Sequence, residues 1–307
     1  MPMPELRPRL NTLVVATDFS ASAALASERA LRLPLAEGAT VHLVHVVPER
    51  IPDRVRGSVV TEAKEQLGKA AATLEQVARS SDTSIQVAWE ILEGKPHVEL
   101  VREARRRKAE LIVMGRHGEQ SFKERLIGST TERVVRTSEL PSLIVNAKEL
   151  NAYRSPLVAV DLTDEIPIVQ ALVDLSLKLV APEVVCVPLL HVFQAPFERR
   201  LRSVLHDEEF DEYRREYKKA ASQELTRIQG GIEARDVAID TALVSGDPRQ
   251  VIVGEAERRG ADLLVLGTHG RTGIAHAFLG SVAEWVIRHA SCDVAVMRPQ
   301  GFQYEAP

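Results

Sequence analysis

The chain has 307 residues, longer than one average domain, with 45% apolar and 27% charged side chains, a balance that fits a soluble globular protein with a sizeable core. Its net charge of −4, from 39 basic and 43 acidic residues, gives no basis for nucleic acid or an anionic membrane as partner. The aliphatic runs are too short to cross a bilayer, the opening MPMPELRPRL lacks the apolar stretch of a secretion leader, and Cys186 and Cys292 are too few for a disulfide scaffold, so the expected compartment is the cytoplasm.

In chain order, short β-branched runs alternate with helical stretches. Strands are expected near 12–17, 40–47, 84–91, 110–115 and 142–146, with helices near 21–37, 58–80, 96–107 and 128–138 between them. A polar stretch without periodicity, Lys148 to Ser155, follows. The strands then return near 156–160, 184–191, 236–243, 262–267 and 293–297. TLVVATDFS (Thr12 to Ser20) parallels PLVAVDLT (Pro156 to Thr163), and TVHLVHVV parallels VVCVPLLHV, which aligns His45 with His191. The repeat predicts two units, 1–149 and 150–307, since a period near 150 residues is domain duplication and far exceeds that of solenoid repeats. Apolar strands separated by helices predict, for each unit, a doubly wound, five-stranded parallel α/β sheet buried on both faces.

Two loops carry the chemistry. LIVMGRHGEQSFKERLIGS (Leu111 to Ser129) and LLVLGTHGRTGIAHAFLGS (Leu263 to Ser281) both read Gly-x2-Gly-x9-Gly-Ser behind an apolar run. Gly115 and Gly267 suit a sharp exit from the strand, and Gly118 and Gly270 a close backbone approach. Gly128 and Gly280 precede helices, whose free amides favour an anion. Ser129 and Ser281 add a hydroxyl each, and Thr130 adds another in the first copy. If strands 1 and 4 of each unit are neighbours, Asp18 and Asp161 meet these loops at the switch point of the sheet, where ligands bind. The bland reading is structural: Ser129 with Glu132, and Ser281 with Glu284, have the spacing of capping boxes. Neither a Walker loop nor a dinucleotide fingerprint is present.

These residues resemble the ATP-binding branch of the universal stress protein family, here as a tandem member covering nearly the whole chain. VATDFS, GRHG, GTHGRTG and FLGS carry the resemblance. It implies the adenine nucleotide alpha hydrolase-like fold with strand order 3-2-1-4-5. It also implies ATP, with or without magnesium: adenine and ribose near Thr17, Asp18 and Val46, or Val160, Asp161 and Val192. Phosphates would meet Gly115, Arg116, Gly118, Gly128, Ser129 and Thr130, or Gly267, Thr268, Gly270, Arg271, Gly280, Ser281 and Val282. Family domains commonly dimerise through their last strand, so SLIVN and DVAVM are expected to pair within one chain as a pseudo-dimer, with a homodimer as the other arrangement. The copies differ: Arg271 favours phosphate where Glu119 repels it, with Arg116 as a compensating cation, while Thr17-Asp18-Phe19-Ser20 is closer to the family's strand-1 pattern than Val160-Asp161-Leu162-Thr163; nucleotide is expected in at least one copy, and the second is expected to hold the better phosphate loop.

Other candidates weigh less. His42 and His45 point to opposite faces of a strand, which argues against joint metal binding, and His117 and His269 read as solvated loop residues before phosphate contacts. The basic run Arg102, Arg105, Arg106, Arg107 and Lys108 reads as a solvated helix end. Between Glu198 and Arg227, apolar Leu201, Leu205, Tyr213, Tyr217 and Leu225 suggest one buried helical stripe, with a partner-binding arm as the alternative. No catalytic set is recognisable. A nucleotide-dependent stress regulator is the leading reading; an ATP-independent scaffold with relic loops and a slow ATPase remain open.

Overall fold

A computed structural model describes residues 7–79, 84–117, 127–146, 149–195, 198–233, 237–268 and 279–298. The first half runs β1 (Leu10–Ala16), α1 (Ala21–Leu31), β2 (Leu35–Pro48), α2 (Asp53–Arg79), β3 (Gln86–Gly94), α3 (Pro96–Arg106), β4 (Leu111–Gly115), α4 (Ser129–Thr137) and β5 (Ser142–Val145). The second half runs β6 (Pro156–Ala159), α5 (Ile166–Leu179), β7 (Cys186–Phe193), α6 (Glu198–Leu201), α7 (Asp207–Gly230), β8 (Ala238–Ser245), α8 (Pro248–Arg259), β9 (Leu263–Gly267), α9 (Ser281–His289) and β10 (Asp293–Met297).

The strands form one sheet, in the order β3-β2-β1-β4-β5-β10-β9-β6-β7-β8. Each half therefore has the 3-2-1-4-5 order, and β1 lies beside β4 as β6 lies beside β9. The two expected five-stranded sheets are continuous, because β5 and β10 pair through Val294 and Ile144, Ala295 and Leu143, and Val296 and Ser142. That pair is antiparallel, and every other named pairing is parallel. Joining the last strands hides two edges that would otherwise be open to other chains.

Alternation along the strands sorts the core into two layers. Leu13, Val15, Leu111 and Val113 face one side, where α1, α2, α5 and α7 supply Ala26, Leu67, Leu172 and Leu225. Val14, Ile112 and Met114 face the other, where α3, α4, α8 and α9 supply Leu100, Val134, Ile252 and Val286. Each layer runs across both halves. The charged stretch after β7 buries Phe210, Ala221, Leu225 and Ile228 of α7, a stripe that shares only Leu225 with the expected one.

Buried polar groups cross the seam between the halves. Arg29 of α1 pairs with Asp293 of β10 at 2.9 Å, with both side chains almost fully buried. Arg29 also donates to the carbonyls of Glu149 and Asn151, and its guanidinium lies 4.4 Å over the Tyr153 ring. Asp293 accepts in addition from the Asn146 amide and the Tyr153 hydroxyl. Burial first, then the Asp293 charge, raise the Tyr153 hydroxyl well above its ordinary value, so it remains a donor.

Candidate functional site

The carboxyl ends of β1, β2 and β4 open onto a cleft of about 680 Å³. Its rim takes Thr17, Asp18 and Val46 from the ends of β1 and β2, Gly115 from β4, and Gly128, Ser129 and Thr130 from the start of α4. Chain order reverses there, since the sheet runs outward from β1 in one direction to β2 and in the other to β4. Apolar residues complete the wall, including Val44, Pro48, Pro96, Leu100, Met114 and Ile127. Motif reading missed that apolar wall, because those side chains converge from separate helices and strands and share no spacing.

Backbone hydrogen bonds fix the rim identically in both copies. Thr17 N–H donates to the Val44 carbonyl at 2.9 Å, and Val160 N–H to that of Leu190 at 3.0 Å. His45 Nδ1 contacts the Thr17 carbonyl at 2.8 Å, as His191 Nδ1 contacts that of Val160 at 2.9 Å. A carbonyl only accepts, so the proton sits on Nδ1 in each ring. Burial lowers the His45 pKa, against smaller raising effects of that carbonyl and of Asp18. Asp18 accepts from Ser20 N–H and Asp161 from Thr163 N–H, each closing a two-residue turn. Phe19, between the two, adopts a φ of 65° and stacks on His45 with ring centroids 4.4 Å apart. That left-handed backbone is unfavourable for a bulky residue, and Phe19 packs against the core layer of α1 and α2.

The described ends of the two glycine loops are equally matched. Gly128 N–H donates to the Arg116 carbonyl and Gly280 N–H to that of Thr268, both at 2.8 Å. Gly128 and Gly280 occupy the N-cap positions of α4 and α9 with φ of −60° and −58°, a conformation open to any residue. Backbone shape therefore does not demand glycine at either position. The capping boxes are not formed. Ser129 and Ser281 are the first helical residues, no side chain caps either helix, and Glu132 and Glu284 pair with Arg136 and Arg288 one turn on. The shift of one position moves each hydroxyl beyond cap geometry.

Gly115 has a packing role that the sequence did not show. A β-carbon there would lie 2.4 Å from the Ser22 hydroxyl and 2.7 Å from its backbone, so glycine lets α1 pack against the end of β4. The Arg116 side chain reaches across the seam, where Nη1 donates to the carbonyls of Arg288 and Ala290 at 3.3 and 3.1 Å. In the second copy Val160, Val192 and Thr268 are buried, Asp161, Gly267, Gly280 and Val282 half-buried, and Ser281 exposed. Gly118, Gly270 and Arg271 lie outside the described residues, as do Glu119 and His269. The copies differ in hydroxyls: Thr17, Thr130 and Thr131 of the first correspond to Val160, Val282 and Ala283 of the second. Thr131 donates to the Gly115 carbonyl at 2.9 Å, tying α4 to β4.

The arginines at the end of α3 are taken up by acids, with Arg102 on Glu99, Arg105 on Glu139, and Arg106 and Arg107 on both Glu103 and Glu90. Against the cost of burial, hydrogen bonds from Arg106 and Arg107 hold the Glu103 carboxyl down at about 2. Among the described residues, no group of three His, Cys, Asp or Glu side chains is placed to hold a metal ion, and no helix is long and apolar enough to cross a membrane.

Comparison with known proteins gives the same two halves. The model of the Universal stress protein family matches residues 10–146 and again 153–298. A universal stress protein of Methanocaldococcus jannaschii is 41% identical over 81 residues, which are 26% of this chain and 48% of that protein. Universal stress protein E of Escherichia coli is 49% identical over 67 residues, 22% of this chain and 21% of its own length. These alignments thus span about half or less of the curated relatives. A crystal structure of a universal stress protein from Archaeoglobus fulgidus matches with a TM-score of 0.67 over 94% of this chain and 97% of its own, at 20% identity, a likeness of fold. Matched twice along its length, the chain belongs to the Universal stress protein family.

Proposed function

We propose that this tandem universal stress protein, with units 1–149 and 150–307, binds ATP at the switch point beside β1 and β4. Occupancy by the nucleotide would alter its shape or its partners in a cytoplasmic stress response. The carrying observation is the cleft of about 680 Å³, in which strand-end polar groups, an apolar wall and an uncapped helix start face one space. The residues fit the nucleotide in kind. The wall of Val44, Val46, Pro96, Leu100 and Met114 suits a base, Asp18 suits ribose hydroxyls, and the amides and hydroxyls of Ser129 and Thr130, beside Gly128, suit phosphates. With Thr17 and Thr130, the first copy has hydroxyls where the second has Val160 and Val282, which favours the first for the nucleotide and runs opposite to the expectation from Arg271 and Glu119, both outside the described residues. The matching positions Val160, Asp161, Val192, Gly267, Thr268, Gly280, Ser281 and Val282, with Gly270 and Arg271, are proposed for a second nucleotide. Gly118 joins the first set, and Arg116 is assigned to the seam. Magnesium would accompany the phosphates.

Two measurements test this reading. Protein purified without added nucleotide and then denatured should release an adenine nucleotide, and excess Mg-ATP should raise the melting temperature. Linkage sets the gain at about 2.7 kcal/mol when ATP stands at one hundred dissociation constants. Gly128→Val, which the N-cap backbone tolerates, should keep the unligated melting temperature and lose ATP at the first copy. No released nucleotide together with no melting shift would establish the nucleotide-independent scaffold instead.

A further inference from the structure

The first copy's cleft is not built from the first copy alone. Its lining includes one residue of the other half, Arg288, in the last turn of α9. The guanidinium lies beside the first turn of α4: Nη2 is 3.9 Å from Glu132 Oε2 and 2.7 Å from Glu284 Oε1 of its own helix. Its Nε–H is buried and has no hydrogen-bond partner among the described residues. The seam also fixes where α9 ends, since Arg116, directly after β4, donates to the carbonyls of Arg288 and Ala290.

Resting on the ATP reading above, we infer that Arg288 is the cation that the second half lends to the first cleft, where it holds the anionic tail of the bound nucleotide. The first copy has Glu119 where the second has Arg271, so the position after its second glycine is acidic instead of basic. Arg288 brings a cation in trans. A guanidinium that already has a polar hydrogen to satisfy, and that sits only 3.9 Å from Glu132, gains a stronger partner when phosphate arrives. Glu132 opposes the same anion, so the Glu132–Arg288 pair sets how strongly charge on the ligand counts. The inference gives the tandem arrangement a binding purpose: an isolated first unit would keep the base and ribose contacts and lose this one.

The test uses the full chain and calorimetric titration with adenosine, AMP, ADP and ATP. Arg288→Gln retains much of the side chain's length and polarity and removes its charge. ATP affinity should fall about tenfold, equal to about 1.4 kcal/mol, with adenosine unchanged and the loss growing with each phosphate. Arg288→Lys should recover part of it, and Glu132→Gln should tighten ATP several-fold without affecting adenosine. Equal ATP affinity in wild type and Arg288→Gln would overturn the inference while leaving the ATP reading intact. So would a loss shared equally by adenosine and ATP, or a drop in the unligated melting temperature that accounts for it. Absence of ATP binding in the wild type is a separate result, and it removes the underlying reading as well.

Discussion

Asp164 is largely withdrawn from water beside Asp161, and burial, followed by the Asp161 charge, raises its carboxyl from 3.8 to about 6. The folded chain therefore holds a proton that the unfolded chain has released between those values. Stability falls as pH rises through that window and stays lower above it. Asparagine keeps an oxygen for the Asp161 N–H, which the Asp164 carboxylate accepts at 3.2 Å, and it carries no charge. Asp164→Asn should thus be more stable than wild type at pH 7.5, by about 1–2 kcal/mol after allowance for residual solvent. The gap should close as the buffer is taken toward pH 4. Thermal melts of the two proteins across that range decide it, and a gap independent of pH would mean that the charge is not the cause. Gly115 shows a different lesson at the same scale. Its glycine was legible in sequence and its reason was not, because the clash it avoids is with Ser22, far away along the chain.

At the level of elements, what fixes a helix start is whether a side chain reaches the free amides. Ser20 does so for α1, accepting from the Ala23 N–H at 3.2 Å. Ser20→Ala should cost about 1 kcal/mol, seen as a lower urea midpoint with unchanged slope. A neutral result would show that water serves that amide equally well. Both α4 and α9 lack such a cap, and each begins directly after a glycine in the cap position. Reading Ser-x-x-Glu as a capping box failed there because Gly128 and Gly280, one position earlier, take the cap backbone. Most elements were otherwise legible, since strands buried on both faces read as unbroken aliphatic runs: Leu111–Gly115 is buried throughout. Ends were less so. The expected first helix ran to residue 37, whereas α1 ends at Leu31 and β2 begins at Leu35, because apolar Leu33 and Leu35 continue a helical period while Pro34 breaks it. The cleft's polar rim was legible from the repeated glycines and strand-end aspartates. Its apolar wall and Arg288 were not, since they are assembled by topology.

For the whole molecule, the question is what makes two copies one body. Aliphatic pairing of β5 with β10 supplies contact, and the two core layers pass through the seam without a break. At that seam lies the Arg29–Asp293 pair, which gives up the hydration of two charges. Such a pair is stabilising only if all its partners are in place, and here Glu149, Asn151, Tyr153 and Asn146 supply them. Arg29→Met would take away the guanidinium that pairs with the buried Asp293, and should cost about 3–5 kcal/mol in chemical denaturation at neutral pH. Adding Asp293→Asn removes the buried charge while keeping an oxygen for the Asn146 amide and the Tyr153 hydroxyl. The double variant should therefore regain a large part of the loss. If Arg29→Met and the double variant were equally unstable, the arginine would matter for its packing over Tyr153 and not for its charge. Because the layers are shared, wild type should unfold in one transition seen alike by Trp89 of the first half and Trp285 of the second. Arg29→Met, which weakens the seam more than either core, should pull those two signals apart.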